Sequence, residues 1–142
     1  MSVFVDTGVF CAHHDVDADC HEDAVRVFDE ILDGRYGQPY TSDYVLDEAI
    51  TLTRARTGSF EAANSLAKRV CGTGPYPAVV ELCHTAPDDV TETLDIYRRY
   101  ADHDLSFTDA MTIRLCESRG FDVVCSFDSD FDGLVERVDP YG

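Results

Sequence analysis

Short apolar runs alternate with longer amphipathic stretches along this chain, and that alternation leaves few folds open. Val3-Phe4-Val5 ends at Asp6-Thr7-Gly8, which reads as a buried strand running into a turn. Ala24, Val25, Phe28, Ile31 and Leu32 fall on one face of a helix over His21–Leu32, stopped by Gly34 and Gly37. Further helices are expected over about Ser42–Arg56 and Ser59–Val70, then a loop carrying Gly72, Gly74, Pro75 and Pro77. Ala78–Cys83 reads as a second strand, and helices follow over about Asp88–Tyr100 and Thr108–Ser118, the latter stopped by Gly120. Asp122–Ser126 is a third strand, and Leu134–Val138 a short last one before Pro140. Such a pattern predicts a parallel sheet covered by helices on both faces. In such folds ligands bind beyond the carboxyl ends of the strands, so position tests each acid.

The length of 142 residues fits one domain spanning 1–142, with no repeat or linker. No apolar run is long enough for a bilayer, and no basic-then-apolar leader opens the chain, so a cytoplasmic protein is expected. The six cysteines form no C-x-x-C pair, and free thiols are expected. The net charge of -17 argues against a partner as acidic as RNA. That objection weakens at about 1 M salt, where the Debye length is only ~3 Å. Twenty-eight acids against 11 basic residues, with Lys68 the only lysine, is a composition that suits a salt-loving organism. The charge therefore reads mainly as habitat, with an acidic protein for a basic partner as the alternative.

Asp6 follows the first strand directly, where it is either a ligand or an Asx-turn residue; Thr7 adds a hydroxyl beside it. Asp128 follows the third strand, with Asp130 and Asp132 close behind, and is either a ligand or part of a solvated acidic loop. Glu48 is more informative. Its helix neighbours are Val45, Leu52 and Ala55, whereas Asp47 aligns with Asp43, Thr51 and Arg54. Glu48 thus borders the apolar face, and a carboxylate there calls for a partner. Asp109 aligns with Ile113 and Cys116, but it also stands three residues after Ser106, the spacing of a capping box. Asp104, just upstream, is a candidate auxiliary acid. Two acids at strand ends and two on inner helix edges suit Mg²⁺ or Mn²⁺, which favour hard oxygen ligands and phosphate oxygens. Such an ion can activate water and stabilise the leaving oxygen of a phosphodiester.

The stretches Val5-Asp6-Thr7, Leu46-Asp47-Glu48-Ala49, Leu105-Ser106-Phe107-Thr108-Asp109-Ala110 and Ser126-Phe127-Asp128-Ser129-Asp130-Phe131 resemble, in order and spacing, the four motifs of PIN-domain nucleases. Within that family the chain looks most like the VapC toxins. The resemblance implies an α/β fold, a three-layer α/β/α arrangement around a mostly parallel sheet of four or five strands. It also implies Mg²⁺- or Mn²⁺-dependent RNA cleavage, a homodimer and a small antitoxin partner. By motif, Asp6, Glu48, Asp109 and Asp128 would be the catalytic, metal-binding acids, with Asp130 a fifth metal ligand in some members. Ser126 stands where the family usually carries threonine, and keeps the hydroxyl. Arg54 and Arg56, and with them Arg98 and Arg99, are candidate RNA phosphate contacts, with solvated helix faces as the alternative.

Other motifs compete less well. Asp128–Gly133 matches the start of an EF-hand loop, but Asp139 replaces the terminal glutamate and Pro140 leaves no exit helix. Cys11, His13, His14, Cys20 and His21 cluster without the spacing of a common zinc site. No phosphate-binding glycine loop is present. A catalytically idle PIN-like binding module and a housekeeping RNA-processing nuclease without antitoxin remain the alternatives to a toxin.

Overall fold

The computed structural model, covering residues 1–142, is built on a sheet of five strands, all parallel. In chain order the elements are β1 (Ser2–Val5), α1 (Thr7–His14), α2 (His21–Leu32), β2 (Gln38–Ser42), α3 (Asp43–Thr57) and α4 (Phe60–Cys71). They continue with β3 (Glu81–Cys83), α5 (Pro87–Arg99), α6 (Phe107–Arg119), β4 (Val123–Cys125) and β5 (Arg137–Val138). The strand order is β3-β2-β1-β4-β5. Successive strands step from β1 toward one edge, and the chain then returns across the sheet to β4. Right-handed crossovers in opposite directions put α1–α4 on one face and α5–α6 on the other. The expected three-layer α/β/α architecture is therefore present.

β1 holds the centre. Val3, Phe4 and Val5 are fully buried, with Val124 and Cys125 beside them in β4. A strand covered on both faces gains roughly 1.5–3 kcal/mol from each large apolar side chain it buries. The order reverses between β1 and β4, so the crevice beyond their carboxyl ends is the switch point where such sheets bind ligands.

Two elements depart from the sequence expectation. The Asp6-Thr7-Gly8 turn is the start of helix α1, whose Val9, Phe10 and Ala12 are buried. Helices α2, α3 and α4 pack around it, so no single apolar stripe marks it. β2 is a polar segment with Pro39 inside, yet it pairs on both sides, with β1 and β3. Its Thr41 hydroxyl donates to the Val5 carbonyl at 2.9 Å. The second and last predicted strands shrink to Glu81–Cys83 and Arg137–Val138. Residues Ser129–Phe131 form a 3₁₀ turn with β4 before it and β5 after it, which rules out an EF-hand. No helix is long and apolar enough to cross a membrane.

Gly72 closes α4 at φ +67°, and a Cβ there would lie 2.4 Å from the Ala78 Cα. Gly72→Ala is therefore expected to destabilise the protein by about 2 kcal/mol or more, read as a lower urea midpoint at unchanged slope.

Candidate active site

Three aspartates are buried, and they differ in how their charge is met. Asp89 accepts from the Ala86 amide at 2.8 Å and pairs with Arg114 at 3.1 Å and Arg119 at 3.2 Å. The Ala86 amide and the two guanidiniums hold its carboxyl below the usual range despite burial. Asp89 is a structural acid that pins α6 to α5.

Asp6 is the opposite case. It stands at the N-cap of α1 with an extended backbone, but its side chain caps nothing. Its Oδ2 accepts from the Ser126 hydroxyl at 2.6 Å, and its Oδ1 is buried with no partner. The adjacent Thr7 Oγ1 is likewise buried and unpartnered. An unsatisfied buried polar atom costs about 1–3 kcal/mol. Burial pushes the Asp6 carboxyl up to about 7; the Ser126 hydrogen bond offsets part of this, and the Asp109 and Glu48 carboxylates add to it. The Asx-turn reading of Asp6 is thus not met.

Ser126 ties the two innermost strand ends together. Its hydroxyl donates to Asp6 and accepts the Asp128 amide at 3.0 Å. The Asp128 carboxylate in turn accepts the Asp130 amide at 2.9 Å, which fixes the turn after β4.

Asp109 serves the capping box that its spacing predicts. Its Oδ2 accepts from the Ser106 amide at 3.0 Å, and its own amide donates to the Ser106 hydroxyl at 3.1 Å. Capping occupies one oxygen only, and the residue still lines the same crevice as Asp6. Burial raises its carboxyl to about 6, the cap opposes this, and Asp128 and Glu48 push it further up. Glu48 on α3 is half-buried and lines the crevice, while Asp47 is exposed, as the helix phase predicts.

The crevice has a volume of ≈ 290 Å³ and brings Asp6, Thr7, Glu48, Asp109, Ser126 and Asp128 together. Arg56 also lines it, and is exposed. Arg54 does not: its guanidinium sits over the Phe60 ring at 5.9 Å. Asp130 and the exposed Asp104 lie outside the lining, although the Asp128 charge, and more weakly that of Asp104, raises the Asp130 carboxyl. Gly8, Cys11 and Phe127 also line the crevice, a role that no local pattern in the sequence marks. Gly8 and Cys11 stand on the unpredicted α1, four or fewer residues after Thr7. Phe127 lies between the candidate site residues Ser126 and Asp128.

No three of the chain's His, Cys, Asp and Glu side chains converge closely enough to hold a metal ion by themselves. The N-terminal Cys and His residues do not come together as a ligand set, and Arg69 donates to His14 at 2.8 Å. At the acid crevice the donors still suit Mg²⁺ or Mn²⁺. All are hard oxygens, two of them are buried without partners, and such ions keep several waters and complete their shells through them.

The PIN-domain family profile matches residues 3–136. A VapC ribonuclease of Archaeoglobus fulgidus is 23% identical over 132 residues, which covers 92% of this chain and 80% of that protein. The VapC20 structure from Mycobacterium tuberculosis, described as a sarcin-ricin loop cleaving toxin, superposes with a TM-score of 0.80. It is 27% identical, over 94% of this chain and 97% of that one. VapBC2 of Rickettsia felis, solved on a promoter DNA fragment, gives a TM-score of 0.69 at 9% identity, covering 98% of both chains.

Proposed function

The chain belongs to the PIN-domain family, and on that footing we propose that it is a Mg²⁺- or Mn²⁺-dependent endoribonuclease, the toxin of a type II toxin–antitoxin pair. The observation that carries this reading is the buried, unpartnered Asp6 Oδ1 in a crevice shared with Glu48, Asp109 and Asp128. A bound divalent ion supplies the Lewis acidity and charge neutralisation that phosphodiester hydrolysis requires.

The protein's own residues do the rest. Asp6, Glu48, Asp109 and Asp128 hold the ion, directly or through water. Ser126 holds the Asp6 carboxylate and, through its backbone amide, Asp128, and the Asp109 cap fixes a further carboxylate. Thr7 offers a hydroxyl to the same space, and Arg56 meets a substrate phosphate at the rim. Asp130 and Asp104 add negative charge at the outer edge. A VapC ribonuclease among the relatives supports RNA as substrate, and a solved toxin–antitoxin complex of the same fold supports a small antitoxin as partner; a cytoplasmic homodimer is part of the same reading.

The test is incubation of the purified protein with total RNA, with and without Mn²⁺, followed by mapping of the cut ends. Molar KCl belongs in the buffer, since it screens the net charge of -17. Defined, Mn²⁺-dependent ends are expected; RNA left intact under every metal and salt condition would sink the proposal. Ser126→Ala is expected to lower cleavage about 10–100-fold, because it strips a hydrogen bond from both Asp6 and Asp128. Ser126→Thr, which retains the hydroxyl, should restore most of the rate.

A further inference from the structure

A second cavity, of ≈ 490 Å³, adjoins the acid crevice. The two share Gly8, Cys11, Arg56 and Phe127 as their divide. We propose that this cavity is a nucleobase site, seating the base of a ribonucleotide next to the phosphate held at the acids. The assignment rests on the nuclease reading above.

Four observations carry it. First, the volume lies in the range of small-ligand sites and suits a base with part of its ribose. Second, an aromatic pair lines it, with Phe127 and Tyr141 rings 4.8 Å apart edge to face and Tyr141 60% exposed. Single-stranded RNA is gripped by stacking its bases on such side chains. Third, the backbone that carries each ring is held in place. Phe127 lies between Ser126 and Asp128, whose hydrogen bond locks the turn. The Tyr141 amide donates to Asp139 at 2.9 Å, and Arg26 donates to the Pro140 carbonyl beside it. Fourth, Arg56 sits on the divide and joins none of the protein's ion pairs, although the chain carries 28 acids. A phosphate passing from crevice to cavity would meet this free guanidinium. His14, Asp15 and Thr57 line the cavity as hydrogen-bonding groups for a base edge.

Two measurements test the assignment. In the first, 5′-AMP and 5′-UMP are titrated into the protein in molar KCl and followed by NMR. Shifts centred on Phe127, Tyr141 and the Cys11–Val16 segment are expected. In the second, an RNA oligonucleotide containing a mapped cut site is compared with copies that are abasic at single positions around it. One flanking position should lose about tenfold in kcat/KM when abasic. Tyr141→Ala should lose a similar factor on intact RNA, the two losses should not multiply, and Tyr141→Phe should retain the rate. Equal cleavage of every abasic substrate, or multiplying losses, would overturn the nucleobase site while the nuclease stands. Nucleotide shifts without any cleavage by the wild type would keep the site and remove the nuclease. Silence in both measurements overturns the site. Shifts at these residues only on adding the protein encoded by the adjacent reading frame would give the cavity to a protein partner instead.

Discussion

Asp6→Asn is expected to cut Mn²⁺-dependent RNA cleavage by more than about 100-fold while the fold survives. Asparagine fills the same space and can still accept from Ser126, so the β1–β4 crevice keeps its shape. What it loses is the negative charge that a divalent ion needs. Circular dichroism and the urea midpoint check the fold, and end-mapped RNA checks the chemistry. Cleavage at wild-type rate would remove Asp6 from the site. An unfolded variant would be resolved by Asp6→Ser or by metal titration of the wild type, which reads the same carboxylate without substitution.

The second large effect concerns stability without metal. Burial raises Asp6 to about 7 and Asp109 to about 6, both above the ordinary value of 3.8. The folded protein therefore holds protons that the unfolded chain releases. Below pH 4 both states are protonated and the two acids contribute no penalty. As pH rises from about 4 through 7, the native state must give up these protons at a cost, so stability falls. For Asp6 alone the loss is on the order of 4 kcal/mol. In EDTA, Tm should fall across this window, and it should fall less in Asp6→Asn, which ends more stable than wild type at pH 8. Mn²⁺ at pH 8 should restore the wild type and leave the variant nearly unchanged. A wild type that is no less stable than Asp6→Asn at pH 8 in EDTA would show that the carboxyl is not strained.

Much of this was legible from the chain alone, for reasons that can be named. Glu48 was separable from Asp47 because a helix phase divides wet from dry faces, and the burial follows that division. The cap at Asp109 was readable because its partners are three residues apart. Asp6 was ambiguous because an Asx-turn and a ligand share one local sequence. The deciding partner, Ser126, lies 120 positions away. β2 escaped detection for a similar reason: Gln38–Ser42 has no strand pattern of its own and is a strand because β1 and β3 flank it. α1 escaped because it is packed on several sides and shows no stripe. Arg54 and Arg56, two residues apart, could be separated only by seeing which faces the crevice.

The Asp6–Ser126 hydrogen bond has a consequence for synthesis. Asp6 leaves the ribosome first among the site acids, and Ser126 and Asp128 leave it last. The central strand must wait for β4, its second neighbour, whose residues are made far later than its own. Until then the crevice lacks one wall, and Asp6 has neither its hydroxyl partner nor Asp128 beside it. The crevice is thus completed late relative to β1, only once β4 has followed it out and the Ser126 hydroxyl can reach Asp6.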